Sequence, residues 1–162
     1  DGSKGDRLWQ IVKEAGKPFD IGPGYPNPSE RTESGLLNYG TDTDDDTNPF
    51  EVRMGKFVDL DVADDVIGVA ALRKIKAAGV KRHQLGIILE GGEENEDQSI
   101  WLAIEKDGKV IGHMTHKAWS YRLQRMIGYA LVSIAARPGD AVQVKKENGI
   151  ARGQLCDVPF KI

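Results

Sequence analysis

The sequence predicts an α+β protein in which a helical front part precedes a small antiparallel β-barrel or sandwich. Before residue 80, two segments carry apolar residues at helical spacing, with Gly16 and Gly79 at their ends. After residue 80, six short runs rich in apolar and β-branched residues alternate with turn dipeptides. The predicted domain boundary therefore divides the chain into residues 1–79 and 80–162.

The first predicted helix begins near Asp6, whose carboxylate can cap free backbone N–H groups, and ends at Gly16, two residues before Pro18. Its apolar side chains fall on one face, which we expect to be buried: Leu8, Ile11, Val12 and Ala15. Residues 18–29, which follow, are too rich in proline and glycine for regular structure, so they should form an ordered loop or a series of turns.

The second predicted helix follows Asp64 and Asp65 and ends at Gly79. Its predicted apolar face consists of Ile67, Ala71, Ile75 and Ala78.

Six strands are predicted beyond that helix. They are Gln84–Leu89, Ser99–Glu105, Lys109–Thr115, Ile127–Ala135, Ala141–Lys146 and Ile150–Cys156. The turns between them include Gly91-Gly92, Asp107-Gly108, Pro138-Gly139 and Asn148-Gly149. Short strands at this spacing are typical of a small antiparallel barrel or sandwich.

The composition excludes several classes of partner. The net charge is -3, from 22 basic and 25 acidic residues with no basic patch, so we expect neither a nucleic-acid nor a membrane partner. The single Cys156 excludes an internal disulfide and suits a reducing cytoplasm. Residues Asp1–Asp6 have the composition of a turn, so we expect that a front half of the protein is missing from this chain. The sequence leaves open whether the protein forms a homodimer.

Two patterns suggest metal ligands and are better explained otherwise. Asp42, Asp44, Asp46 and Asn48 alternate like the start of a calcium loop, but Thr47 and Arg53 stand where an EF-hand needs glycine and glutamate. A solvated acidic turn is favoured. His113 and His116 should lie on opposite faces of a strand, with no third ligand nearby. No metal is therefore predicted.

Two segments are the best candidates for a functional site. The first is the rigid stretch Pro23–Gly40, which contains Tyr25, Asn27, Arg31, Glu33 and Tyr39. The second is Thr115–Arg122, expected to be an aromatic and polar loop between two strands. Rigid loops often carry binding groups, although capping and packing are an equal alternative for any one side chain.

These segments carry a family resemblance. R-T-E-S-G-L-L-N-Y-G-T-D at Arg31–Asp42 resembles the R-x-E-(A/G)-G-L-x-x-Y-G-x-D stretch of glycine-cleavage T-proteins, and N-P-F-E follows at a similar spacing. D-D-V-I-G-V-A-A-L and the run from G-H-M-T-H-K-A-W-S-Y-R to the final V-P-F are also similar to that family. The resemblance spans nearly the whole chain, in order.

The resemblance implies a ring of three domains around tetrahydrofolate. This chain would supply the end of the folate-binding α+β domain and the C-terminal barrel, while the pterin-holding Glu and the catalytic residues would lie upstream, so no catalytic residue is expected here. The implied folate contacts are Asn27, Tyr25 and Trp119, next to Ser120. Arg31 and Glu33 are motif residues for which we favour a structural role, as a mutual charge pair or as loop anchors.

One departure from the family pattern suggests a branch. T-proteins carry an Arg six residues before the motif Glu, where this chain has Asn27. P-G-Y-P-N-P-S-E-R instead resembles the branch that contains dimethylsulfoniopropionate demethylase. His116 and Tyr121 also replace the family's Ser and Pro, so its contacts do not transfer in detail to the second segment.

The branch implies an enzyme that transfers a methyl group from a small donor, a sulfonium being favoured, to N5 of tetrahydrofolate. Two alternatives stay open. One is the aminomethyltransferase of glycine cleavage, which accepts a lipoyl-bearing carrier protein. The other is a non-catalytic folate-binding relative.

Overall fold

The computed structural model describes residues 2–24, 27–92, 101–147 and 149–161, and it confirms the α+β class. Within these ranges the helices are α1 (Gly5–Gly16), α2 (Pro28–Glu33) and α3 (Val69–Ala78). Short 3₁₀ turns lie at Gly2–Lys4, Lys17–Phe19 and Met54–Phe57. No helix in the described part of the chain is long and apolar enough to cross a membrane.

The described strands form a closed antiparallel barrel of six members, so the barrel alternative is confirmed over the sandwich. They are β1 (Arg82–Leu89), β2 (Leu102–Lys106), β3 (Lys109–Ser120), β4 (Arg125–Ser133), β5 (Ala141–Lys146) and β6 (Gly149–Cys156). Their order around the barrel is β1-β4-β3-β2-β5-β6. The predicted start of β2 at Ser99 and the turn residue Asn148 lie outside the described residues.

The barrel interior is filled by every second side chain of its strands. In β1, for example, Leu85, Ile87 and Leu89 belong to the interior cluster, as the two-residue period of a strand requires. A second cluster lies on the outer face, where Ile127 and Tyr129 pack with Val158 and Phe160 of the C-terminal segment. The outer face of β1 and β4 is therefore a second packing surface.

The strand β3 is longer than predicted. It continues through Ser120, so most of the predicted loop Thr115–Arg122 is strand, and that expectation was wrong. The extension pairs with β4 over its whole length, ending with Ser120 opposite Arg125. A bulge between Met114 and His116 absorbs one extra residue in β3.

The predicted burial of the α1 face was wrong for the described chain. Leu8 is 63% exposed, Ile11 55% and Val12 46%, and Ala15 is also exposed. The helix contacts chiefly its own flanking turns, so no described element covers the apolar face. Its predicted end at Gly16 is correct, but Asp6 makes no capping hydrogen bond, because the helix already begins at Gly5.

The helix α3 starts later than predicted. Gly68 has a left-handed φ of 84°, which redirects the chain before Val69, so residues 64–68 form turns. Ile67 is consequently fully exposed and Val69 is buried. The predicted face was correct only at Ile75: the covered apolar positions are Val69, Leu72 and Ile75, whereas Ala71 and Ala78 are exposed. Gly79 does follow the last helical residue.

The proline- and glycine-rich stretch is partly regular, contrary to the prediction for residues 18–29. A 3₁₀ turn covers Lys17–Phe19, and α2 begins at Pro28. Pro28 suits the first helical position because its ring fixes φ and its missing N–H is not needed there.

Candidate functional site

The two candidate segments, about ninety positions apart in the sequence, meet where α2 packs on β3. Ser29 Oγ donates a hydrogen bond of 2.6 Å to the backbone oxygen of Trp119. Ser120 Oγ donates to Glu33 Oε1 at 2.5 Å, and Arg122 Nε lies 2.9 Å from Glu33 Oε2. We call this contact the α2–β3 edge; it brings Asn27, Glu33 and Trp119 into one region of the surface.

Asn27 occupies the N-cap of α2. Its side-chain oxygen accepts hydrogen bonds from the backbone N–H groups of Ser29, at 2.9 Å, and Glu30, at 3.4 Å. The residue is exposed, and its amide nitrogen makes no hydrogen bond within the described part of the chain. Asn27 can therefore hold the helix with its oxygen and offer a donor to a ligand with its nitrogen.

Gly22 and Gly24 of the loop before Asn27 are exposed. A side-chain carbon built at Gly22 or at Gly24 would meet no other atom within 4 Å. Tyr25, the other candidate in this loop, lies outside the described residues.

Arg31 anchors the segment that follows α2. Its Nη1 lies 2.5 Å from Asp42 Oδ2 and donates to the backbone oxygen of Leu36 at 2.8 Å. The Asp42 carboxylate is fully buried and also accepts hydrogen bonds from Asn38 N and Thr115 Oγ1. The favoured structural role as a loop anchor agrees with these contacts, whereas Arg31 does not pair with Glu33.

Glu33 anchors the C-terminal end of α2 to the barrel. Besides Ser120 and Arg122, which its carboxylate contacts, its backbone oxygen accepts a hydrogen bond from Phe160 N at 3.2 Å. With its carboxylate engaged in this way, Glu33 serves the packing of α2 rather than offering free acceptor oxygens.

Trp119 lies near the end of β3, opposite Met126 of β4. Its side chain is half-buried and packs against the interior cluster of the barrel. The exposed part of the indole is left to face a ligand or another part of the protein. The hydrogen bond from Ser29 Oγ to the Trp119 backbone oxygen fixes the backbone of Trp119 relative to the start of α2 and hence to Asn27.

Sequence reasoning missed Tyr129, which holds α2 on the barrel. Its fully buried hydroxyl lies 3.1, 3.0 and 3.1 Å from the backbone oxygens of Arg31, Thr32 and Leu36. Burial raises the pKa of the Tyr129 phenol well above its usual range, so the hydroxyl stays protonated as a donor. The only signal was one tyrosine within an otherwise apolar strand.

The alternating acidic residues are engaged with their own loop. Asp44 accepts hydrogen bonds from Thr47 Oγ1 at 2.6 Å and from Asp46 N at 3.1 Å, and the first of these contacts is the main cause of a lowered pKa at Asp44. Asn48 caps the following turn by accepting from Phe50 N. Among the described residues no group of three or more candidate ligands could hold a metal ion.

The prediction for the two histidines of β3 was wrong. His113 lies opposite Leu131 and His116 opposite Tyr129, and these partners are two residues apart on one face of β4. The bulge at Thr115 adds one residue between the histidines, so both side chains project from the outer face of the barrel.

Cys156 lies half-buried in the outer cluster, beside Ile88 and Val158. Burial raises the pKa of its thiol to about 11, so the nucleophilic thiolate is disfavoured at neutral pH. Cys156 therefore serves as a small packing residue.

Fold and site together define a barrel protein in which the segment that contains α2 packs on the outer face of the barrel. Residues 1–62 match the family model described as the GCVT N-terminal domain, and residues 82–161 match the glycine cleavage T-protein C-terminal barrel domain. The chain belongs to the glycine-cleavage T-protein family, as the sequence motifs indicated.

Individual relatives include two kinds of enzyme. The chain is 41% identical over 128 residues to an aminomethyltransferase of Clostridium botulinum, covering 77% of this chain and 34% of that protein. It is 32% identical over 144 residues to a dimethylsulfoniopropionate demethylase of Ruegeria pomeroyi, covering 88% and 38%. The chain thus spans about a third of the length of these relatives.

A solved structure supports the fold. The aminomethyltransferase of the glycine cleavage system from Bartonella henselae matches with a TM-score of 0.72 at 20% identity, over 83% of this chain and 37% of that one. The match covers the barrel architecture and shows the fold alone.

The aminomethyltransferases of this family and the demethylase depend on tetrahydrofolate. At the α2–β3 edge the exposed amide nitrogen of Asn27 is a hydrogen-bond donor that fits such a group, whereas the Trp119 indole packs against the interior cluster and only its backbone oxygen contacts α2.

Proposed function

We propose that this chain is part of a tetrahydrofolate-dependent methyltransferase that takes its methyl group from a small donor, with a dimethylsulfoniopropionate-like sulfonium favoured. The observation that carries the proposal is the α2–β3 edge, where the two segments that resemble the family meet through Ser29 and Trp119. These segments are far apart in the sequence, so their convergence is a property of the fold. It is the arrangement expected if they hold one cofactor.

Methyl transfer from a sulfonium requires little from the protein beyond positioning of the donor and the cofactor. Transfer breaks the bond between carbon and sulfur, leaves a neutral thioether, and joins the methyl group to N5 of the cofactor as the N5 proton leaves. The cofactor, when bound, supplies the nucleophilic nitrogen. Because the sulfonium already contains a good leaving group, the main contributions are orientation and exclusion of water. In this chain, Asn27 would orient the cofactor by a hydrogen bond and Trp119 would cover one side of it.

The demethylase branch is supported by the sequence around Asn27. This residue replaces the Arg of the T-proteins, and the surrounding P-G-Y-P-N-P-S-E-R stretch resembles the demethylase branch. The similarity to the Ruegeria demethylase also extends over a larger share of this chain, 88% against 77% for the Clostridium enzyme.

The aminomethyltransferase of glycine cleavage is the second candidate function. It is favoured by the higher identity, 41% against 32%. In that case the donor would be the aminomethyl group on a lipoyl-bearing protein, and the partner surface would be a protein rather than a small-molecule pocket.

A donor assay separates these candidates. A protein that joins this chain to the upstream portion its relatives carry would be given tetrahydrofolate and dimethylsulfoniopropionate, and 5-methyltetrahydrofolate would be measured by chromatography. We expect product to form, and to form more slowly with glycine betaine, an ammonium donor with a poorer leaving group. Turnover of aminomethylated lipoyl protein without any 5-methyltetrahydrofolate would reject the demethylase assignment in favour of the aminomethyltransferase.

A further inference from the structure

Three buried polar atoms on the outer face of the barrel have no hydrogen-bond partner among the described residues. They are Gln84 Oε1, His113 Nε2 and His116 Nε2. Gln84 is only 2% exposed, and both histidines are half-buried. A buried polar atom without a partner is unfavourable and rare in folded proteins, so three of them at one place require an explanation.

The strand register places these three side chains side by side. Gln84 and His113 both lie opposite Leu131, one from β1 and the other from β3. His116 lies opposite Tyr129, two residues along the same face of β4. We call the patch formed by Gln84, His113 and His116 the seam.

The chain between residues 38 and 53, which we call the covering segment, is attached on both sides of the seam. On the β3 side, Thr115 Oγ1 donates to Asp42 Oδ1. On the β1 side, Gln84 N donates to the backbone oxygen of Glu51 at 2.7 Å, and Arg82 Nε lies 2.8 Å from Glu51 Oε1. Releasing the covering segment would therefore open the seam on the side that the segment faces, while Trp101 would still lie against His113.

Among the described residues, the charged groups near the seam belong to α2, β1 and the covering segment. His116 is influenced by Arg31 of α2 and Asp42 of the covering segment, and its ring lies 6.4 Å from that of Tyr129 in β4. His113 is influenced by Arg82 of β1 and Asp44 of the covering segment, and its ring lies 4.4 Å from that of Trp101.

Burial lowers the pKa of both histidines, and the nearest cations lower it further. For His116 the larger cause is burial, followed by Arg31, while Asp42 acts in the opposite direction. For His113 burial again comes first, followed by Arg82, with Asp44 opposing. In the closed structure both imidazoles therefore favour the neutral form at neutral pH.

The two carboxylates near the histidines are already engaged. Asp42 accepts from Arg31 Nη1, Asn38 N and Thr115 Oγ1. Asp44 accepts from Thr47 Oγ1 and Asp46 N. Protonating a seam histidine would therefore bury a positive charge close to an arginine, with the nearby carboxylates already bound to other donors. Such a charge is much less costly in water.

We propose that the seam is an acid-sensitive latch: neutral His113 and His116 let the covering segment lie on the barrel, and their protonation releases it. The direction follows from proton linkage. Since the closed form holds its histidine pKa values below the ordinary range of about 6.5, the released form binds more protons. The attachment is therefore complete above that range and weakens as the pH falls through it towards the lowered values.

Hydrogen exchange measured by mass spectrometry between pH 7.5 and pH 5 tests the latch. After correction for intrinsic exchange, we expect protection of residues 38–53 to fall, for each seam histidine, by up to about tenfold per pH unit below about 6.5, until its lowered pKa is reached. In the double variant His113→Gln with His116→Gln, which cannot be protonated at these positions, protection should stay constant over the same range.

The third histidine offers a matched control. His83 Nε2 lies 3.1 Å from the backbone oxygen of Ala136, away from the seam, so His83→Gln should keep the pH dependence of the wild-type chain. Imidazole titration by NMR in the unmodified chain provides a second readout that needs no variant. Its midpoints for His113 and His116 should coincide with the loss of protection. Protection that does not change with pH, or an equal loss in the double variant, would overturn the proposal.

Discussion

Tyr129 shows how one side chain joins two parts of the chain. Its ring belongs to the apolar outer cluster, and its hydroxyl lies against three backbone oxygens at the C-terminal end of α2. Each of these oxygens also accepts from a second donor of the same segment, and because a carbonyl oxygen can accept two hydrogen bonds, the hydroxyl occupies acceptor sites that the segment leaves open. The position of α2 on the barrel therefore depends on a residue about ninety positions away.

Removing this hydroxyl should be costly. Tyr129→Phe keeps the ring but removes a buried donor from three backbone oxygens, each of which keeps one other donor, so we expect a loss of about 0.5–1.5 kcal/mol in the free energy of unfolding, measured by urea titration. Tyr39→Phe is the control, because the Tyr39 side chain is exposed and its hydroxyl donates to Asp45 at the surface. Its loss should be within about 0.5 kcal/mol. Equal losses in the two variants would contradict the role assigned to Tyr129.

At this scale, the sequence indicated which residues anchor the motif but not their partners. Arg31 and Glu33 make contacts of the kind that an anchoring role requires, but with Asp42 and Arg122 and not with each other. A pair such as Glu33 and Arg122 depends on how α2 docks on β3, which local patterns do not contain. The ligand contacts of Asn27 and Trp119 remain predictions.

At the scale of elements, the strands were predicted well because alternation and turn residues act locally. The range Ala141–Lys146 is correct at both ends, and β1 and β6 differ by no more than two residues. The bulge in β3 was not predictable, since an extra residue is recognised only against the register of a partner strand. That one residue changed the predicted arrangement of His113 and His116.

The close approach of β3 and β4 depends on glycine at position 128. A side-chain carbon built there would lie 2.3 Å from the backbone oxygen of His116, too close for the two strands to stay in place. Gly128→Ala should therefore lower the free energy of unfolding by about 1–3 kcal/mol, measured by urea titration.

The control for this substitution is Gly22→Ala, where the added carbon would meet no atom within 4 Å. We expect a change within about 0.5 kcal/mol there. If Gly128→Ala were as mild as Gly22→Ala, β3 and β4 would be further apart than described.

At the scale of the whole molecule, the α+β class and the barrel were predicted from composition and from the spacing of apolar residues. The convergence of the two candidate segments was not predicted. The apolar face of α1 illustrates the limit of such reasoning. Helical spacing shows that a face is apolar, but not which element covers it, and the described part of the chain leaves Leu8 and Ile11 exposed. The chain spans about a third of its relatives' length, so activity is a property to test in a longer protein.

The central claim is that the α2–β3 edge holds tetrahydrofolate through Asn27. Calorimetric titration of tetrahydrofolate into a protein that includes the upstream portion tests it directly, with Asn27→Asp as the variant. Aspartate keeps the capping oxygen of α2 and removes the amide donor. We expect the wild-type protein to bind one equivalent, and the variant to bind roughly two- to tenfold more weakly with an unchanged unfolding temperature. A folded protein that shows no binding heat, or a variant that binds as tightly as the wild type, would contradict the claim.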